Sequence, residues 1–140
     1  MIDAGMTSPP AVRDPAHQAL DDLIRNFPAA LLTTVDSHGI MHTRQLPNTN
    51  SEFKGELWFL SNHGAQLEGE LHHKPDVLVT YAERPVGRFM VVNGTARVRH
   101  DPDRVRELWH PVLASWLPAG PDDCNLSLIH VRVASVEVWD

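Results

Sequence analysis

The chain has 140 residues, 42% of them hydrophobic and 21% charged, and a net charge of −6 with its histidines neutral. That length suits one domain with a core of its own. The acidic balance argues against a nucleic-acid backbone as partner, which would call for a basic stripe, and against an anionic membrane surface. Cys124 is the single cysteine, so no intrachain disulfide can form. A lone thiol suits a reducing compartment, and no Cys-His-Asn pattern marks it as a nucleophile. The first fifteen residues carry neither a basic start nor an apolar run, and no stretch is long enough to cross a membrane. A soluble cytoplasmic protein is expected.

Taken in chain order, residues 1–12 mix Gly, Ser and Pro and read as a disordered lead-in. Asp14-Pro15 then sets a capping carboxylate before a proline at the first helical position. Ala16, Leu20, Leu23, Ile24 and Phe27 follow at helical spacing, and Pro28 ends the helix. Residues 29–35 and 40–46 flank the turn Asp36-Ser37-His38-Gly39 and predict a hairpin. A polar loop leads to a third strand, Glu56 to Ser61. The stretch Gly64 to Lys74 reads as a short helix, with Leu67, Glu70 and Leu71 at helical spacing and Pro75 closing it.

Residues 76–82, 88–94 and 95–100 read as three more strands. Asn93-Gly94 divides the last two and marks either a hairpin turn or a bulge in one continuous run. Asp101-Pro102 opens a second helix, predicted to run past Pro111 toward Ala114 and Trp116. A loop over 117–125 precedes two closing strands, 126–133 and 134–139. This is a mainly β pattern with a few short helices, and it predicts a closed or partly closed antiparallel barrel. An OB-fold has a similar strand count, but its usual oligonucleotide ligands sit poorly with the acidic charge.

The nine histidines raise the question of metal binding. His38 and His42 straddle the hairpin turn, whereas His72 and His73 are helical neighbours pointing about 100° apart, poorly placed to share an ion. No HExxH, no Cys/His cluster with zinc spacing, no Gly-x-Ser-x-Gly and no phosphate-binding glycine loop is present. No metal site is expected, and the residues alone nominate no catalytic group.

Three ordered segments carry a resemblance: FPAALLTTVDSHGIMHTRQLP, then ELWFLSNHGAQLEGELHHKPDVLVTY, then ELWHPVLASWLPAGPDD with the closing VRVASVEVWD. Together they resemble the pyridoxamine 5′-phosphate oxidase-like split barrels, in particular the general stress protein branch. The resemblance implies an antiparallel, Greek-key-like split β-barrel over residues 13–140, following the tail at 1–12. It also implies a homodimer holding FMN in a cleft between subunits, and a flavin-dependent redox function with no substrate specified. By position, Arg44 matches the strand arginine that contacts the FMN phosphate. A guanidinium fork suits phosphate oxygens; the other reading of Arg44 is an ion pair with one of the chain's many acids. Gln45 and Leu46 lie on the strand beside the flavin ring, Ser61 and Asn62 match a Thr-Asn pair near the flavin, and Trp139 matches a tryptophan reaching over from the partner.

The sequence also departs from the oxidases. Ala65, Gln66 and Leu67 stand where they carry a Ser-Arg-Lys phosphate grip, which leaves Arg44 aided by His63, Gln66 and the start of the short helix. Gln66 and Leu67 remain cofactor-site candidates by position. Phe89 replaces a flavin-contacting glutamine, and the sequence ends at Asp140 without the oxidases' basic substrate segment. Pyridoxamine phosphate oxidation is therefore not expected. The alternatives are a barrel that has exchanged FMN for another planar ligand, haem or a deazaflavin, and a non-catalytic dimeric module of a stress response. Four tryptophans, Trp58, Trp109, Trp116 and Trp139, either pack within one subunit or supply an interface.

Overall fold

Alternating side chains bury one face of each strand, and the sheet curls around the face so formed. The computed structural model describes residues 2–3, 21, 24–25, 27–50, 53–62, 64–83 and 87–139. Its strands are β1 (Ile2–Asp3), β2 (Ala29–Val35), β3 (Met41–Pro47), β4 (Glu56–Ser61), β5 (Asp76–Glu83), β6 (Arg88–Arg99) and β7 (Ser127–Trp139). Helix α1 spans Gly64–His73, α2 spans Pro102–Leu108, and a 3-10 turn covers Pro111–Ser115. Every pairing is antiparallel, in the order β1-β7-β6-β5-β2-β3, with β4 also on β7. β3 and β4 approach each other across the opening, which gives the curled split barrel that the sequence predicts.

Ile2–Asp3 pair with Val138 and Glu137 of β7; the rest of the expected tail lies outside the described residues. So does most of the helix expected from Asp14, although Ile24 and Phe27 at its end are buried in the core.

The β2–β3 turn forms as its composition predicts. Asp36 Oδ1 accepts from the backbone N–H groups of His38 (2.8 Å) and Ile40 (3.0 Å), and Gly39 supplies the left-handed residue at φ 80°. Asn93-Gly94, by contrast, makes no hairpin. Residues 88–99 form one strand, with a register shift that pairs Asn93 with Ser135 and Gly94 with Val133, leaving Ala134 as the extra residue. A Cβ on Gly94 would stand 2.3 Å from the Arg132 carbonyl oxygen, so the glycine serves a close strand approach. The two closing strands are likewise one, β7, which runs the length of β6 and pairs β4 and β1 along its other edge.

The inner core joins Leu32, Leu46, Phe59, Val79, Met90 and Ile129 to Leu67 and Leu71 of α1. A second cluster, Leu60, Val105, Leu113, Leu117 and Leu128, seats α2 and the 3-10 turn on the sheet. The second helix is shorter than expected. α2 stops at Leu108, and Pro111, which has no N–H to continue it, opens the separate 3-10 turn. Trp58, Trp109 and Trp116 pack half-buried against this cluster. Trp139 does not; it is 40% exposed beside its strand partner Phe89, at 46%.

Candidate functional site

The inward face of the β2–β3 hairpin is apolar at Ala30, Leu32 and Leu46 but carries Thr34 and Arg44 farther along. Helix α1 lies over this end and presents Leu67, Glu70 and Leu71 inward from one stripe. Arg44 and Glu70 meet there, their side chains only 8% and 6% exposed. Arg44 Nη2 donates to Glu70 Oε1 at 2.8 Å, and Nη1 donates to the hydroxyl of fully buried Thr34 at 3.0 Å. That hydroxyl in turn donates to Glu70 Oε1 at 2.6 Å, and Gln66 Nε2 donates to Oε2 at 3.2 Å. Burial pushes the Glu70 carboxyl up, but the Thr34, Arg44 and Gln66 hydrogen bonds outweigh it and hold the group below its ordinary value. Glu70 is thus ionised at neutral pH, and the pair carries no net charge.

Beside the pair, an open cleft of about 440 Å³ lies between the β2–β3 turn and α1, with Asp36, His38, His42, Gln66, Glu70 and His73 among its walls. His42 Nε2 lies 2.8 Å from Asp36 Oδ2. That hydrogen bond, with the Ile40 and His38 amides, lowers the Asp36 carboxyl to about 2. Among the described residues, the titratable groups lining the cleft are carboxylates and histidines.

The other nominated residues fall in three places. Leu46 and Leu67 are core residues, 2% and 0% exposed, and Gln45 projects from the opposite face of β3. Ser61, buried, and Asn62, exposed, form the junction between β4 and α1. Trp139 closes the far end of β7: Ser61 pairs with Ser127, while Trp139 pairs with Phe89 twelve residues farther along, roughly 40 Å along the strand. Within one chain, then, Arg44 and Gln66 come together on Glu70, and Trp139 stands apart. His63 lies outside the described residues. The partner that the sequence reading missed is Glu70. Its signal was present in the spacing Leu67-Glu70-Leu71, which places a carboxylate between two core leucines.

The family model described as pyridoxamine 5′-phosphate oxidase like matches residues 15–140. Among solved structures, a protein related to general stress protein 26 from Clostridium acetobutylicum superposes with a TM-score of 0.78 at 12% identity, over 91% of this chain and 90% of that one. General stress protein 26 from Bacillus anthracis gives 0.74 at 18% identity, over 87% and 92%. A general stress FMN/FAD binding protein from Xanthomonas citri gives 0.68 at 21% identity, over 88% and 87%. No curated protein matches the sequence.

Proposed function

The chain belongs to the pyridoxamine 5′-phosphate oxidase-like family, and from that premise we propose that it is a flavin-binding redox protein of the general stress type, with FMN as its cofactor. The likeness to a structure described as FMN/FAD binding supports the reading. The observation that carries it is the division of the candidate residues between the two ends of β7. Arg44, Ser61, Asn62 and Gln66 gather around α1, while Trp139 lies at the opposite end beside exposed Phe89. One ligand touches both groups when a second copy brings its Trp139 end to the first copy's α1 end, so the reading includes a homodimer. Exposed aromatic pairs of this kind suit an interface core.

Arg44 is poorly placed to neutralise a phosphate. Two of that guanidinium's five N–H groups are engaged, and Glu70 cancels its charge. The phosphate would then rest on the backbone amides that open α1 near Gly64, beside Asn62, with Arg44 giving only its remaining donors. A bound flavin supplies hydride or electron transfer. The chain's part is to place the ring, through Gln45, Ser61 and the partner's Trp139, and to exclude water from it. The charge-neutral Arg44–Glu70 pair favours a second reading, a planar ligand without a phosphate.

Absorption spectra of the purified protein, followed by titrations of FMN and riboflavin, test the proposal. Saturable quenching at one flavin per chain supports flavin binding. FMN binding at least ten-fold tighter than riboflavin assigns a role to the phosphate, and Arg44→Ala then reports the share that passes through Arg44. Equal affinities favour the ligand without a phosphate. Absence of any chromophore and of any quenching overturns the flavin reading.

A further inference from the structure

Away from that site, the protein concentrates positive charge in one place. An open cleft of about 460 Å³ lies where α1 meets β6 and β7, and Arg97, Arg99 and Arg132 line it together with His72 and His130. On β6 the exposed residues Thr95, Arg97 and Arg99 alternate with core-facing Ala96 and partly buried Val98. Across the ladder, Arg97 pairs with His130 and Thr95 with Arg132. Cross-strand partners share a face, so the three arginines project from the same side, with Arg97 diagonal to Arg132 and two residues from Arg99 on its own strand.

Like charges gathered in this way destabilise a sheet unless something answers them. Among the described residues one carboxylate, Glu56, faces Arg132 across the β4–β7 ladder. Among the described residues, no side chain forms an ion pair or side-chain hydrogen bond with Arg97, Arg99 or Arg132. Glu56 is hydrogen-bonded to His130 at 2.7 Å rather than to Arg132, and Glu68, the acid on the cleft wall, lies 3.7 Å from His100. His130 is fixed further by stacking on Trp58, with ring centroids 4.0 Å apart and planes inclined by 11°. The Arg104 guanidinium also lies over that indole, 4.5 Å from its centroid. One wall of the cleft is therefore rigid. In a protein of net charge −6, three uncommitted arginines on one concave surface form a receptor for anions.

The geometry points to this cleft as a binding site for a multiply charged phosphate compound, a diphosphate or a phosphorylated metabolite. Planar guanidinium forks match phosphate oxygens, several of them select for more than one anionic group, and the volume lies in the range of small-ligand sites. The site is separate from the Arg44–Glu70 region, and the inference does not depend on flavin binding.

Inorganic pyrophosphate is the probe, titrated calorimetrically into the full chain at low ionic strength alongside orthophosphate. Saturable binding of one pyrophosphate per chain is expected, at least ten-fold tighter than orthophosphate and weakened by added salt. The double variant R97Q/R132Q should lose at least ten-fold in affinity and R99Q alone a smaller factor. R106Q, which removes a surface arginine paired with Asp103, should bind as the wild type does. All three exchanged cleft residues are exposed, and circular dichroism of each variant checks that it folds. Absence of saturable binding, or an equal loss in R106Q, overturns the inference. So does a double variant whose subunit association changes while pyrophosphate fails to bind, since the arginines would then form a contact between copies.

Discussion

Removing Glu70 strands a cation in the interior. In Glu70→Leu, Arg44 keeps its charge at 8% exposure, and the fully buried Thr34 hydroxyl loses the carboxylate to which it donates. Breaking a buried pair from one side costs about 3–5 kcal/mol. Domains of this kind have a total stability of about 5–15 kcal/mol. With about 2–4 °C of melting temperature per kcal/mol, the variant should melt roughly 6–20 °C below the wild type. Arg44→Met with Glu70→Leu removes both charges and should recover most of the loss. Equilibrium urea unfolding of the wild type, Glu70→Leu, Arg44→Met and the double variant closes the cycle. The native carboxyl of Glu70 lies below its ordinary 4.5, so its contribution is complete above that pH and declines as pH falls through the native value. The gap between wild type and double variant should narrow accordingly below pH 4.5. A cost under about 1 kcal/mol for Glu70→Leu, or a double variant as unstable as the two singles summed, would refute the reasoning.

Three further outcomes are expected. Asp36 is held near 2, with the His42 hydrogen bond as the first cause, so its contribution persists above the usual 3.8 and is lost as pH falls toward 2; His42→Ala should return the carboxyl toward 3.8, as followed by NMR titration. Gly94→Ala should destabilise by about 1–3 kcal/mol through collision with the Arg132 carbonyl, whereas Gly69→Ala, in α1 with open space around it, should stabilise by about 0.5–1 kcal/mol; thermal unfolding should give the two opposite signs. If the exposed Phe89–Trp139 pair forms the subunit contact, Phe89→Ser with Trp139→Ser should shift light-scattering mass toward the monomer without unfolding the barrel.

Local chemistry was legible in the sequence wherever it alone decides the structure. The hairpin expected at 29–35 and 40–46 forms at Ala29–Val35 and Met41–Pro47, and the helix expected at 64–74 forms at Gly64–His73. Asn93-Gly94 was ambiguous for a physical reason, because the dipeptide serves a turn or a bulge equally well. What decides between them is a carbonyl at Arg132, nearly forty residues away in sequence. The site divides in the same way. Arg44 and Gln66 were nominated by position for a cofactor, and an ion pair was the other reading of Arg44; its partner Glu70 was read as a member of an apolar stripe, and its meaning depends on which strand the helix covers. The arginine cleft was invisible because it takes cross-strand register to place Arg132 beside Arg97.

Strand β7 has a consequence for how the molecule is made. It is the shared neighbour of β6, β4 and β1, and it follows all of them in the chain. Until residues 127–139 emerge, β4 has no strand to pair with among the described residues, and β6 presents an open edge more than ten residues long. Completion of the barrel is therefore a late event that joins segments distant in sequence, which slows folding. Through that interval the nascent chain displays the kind of unpaired edge through which strands of different chains associate. A ribosome-bound chain stalled before Ser127 should depend on chaperones to a degree that the finished protein does not.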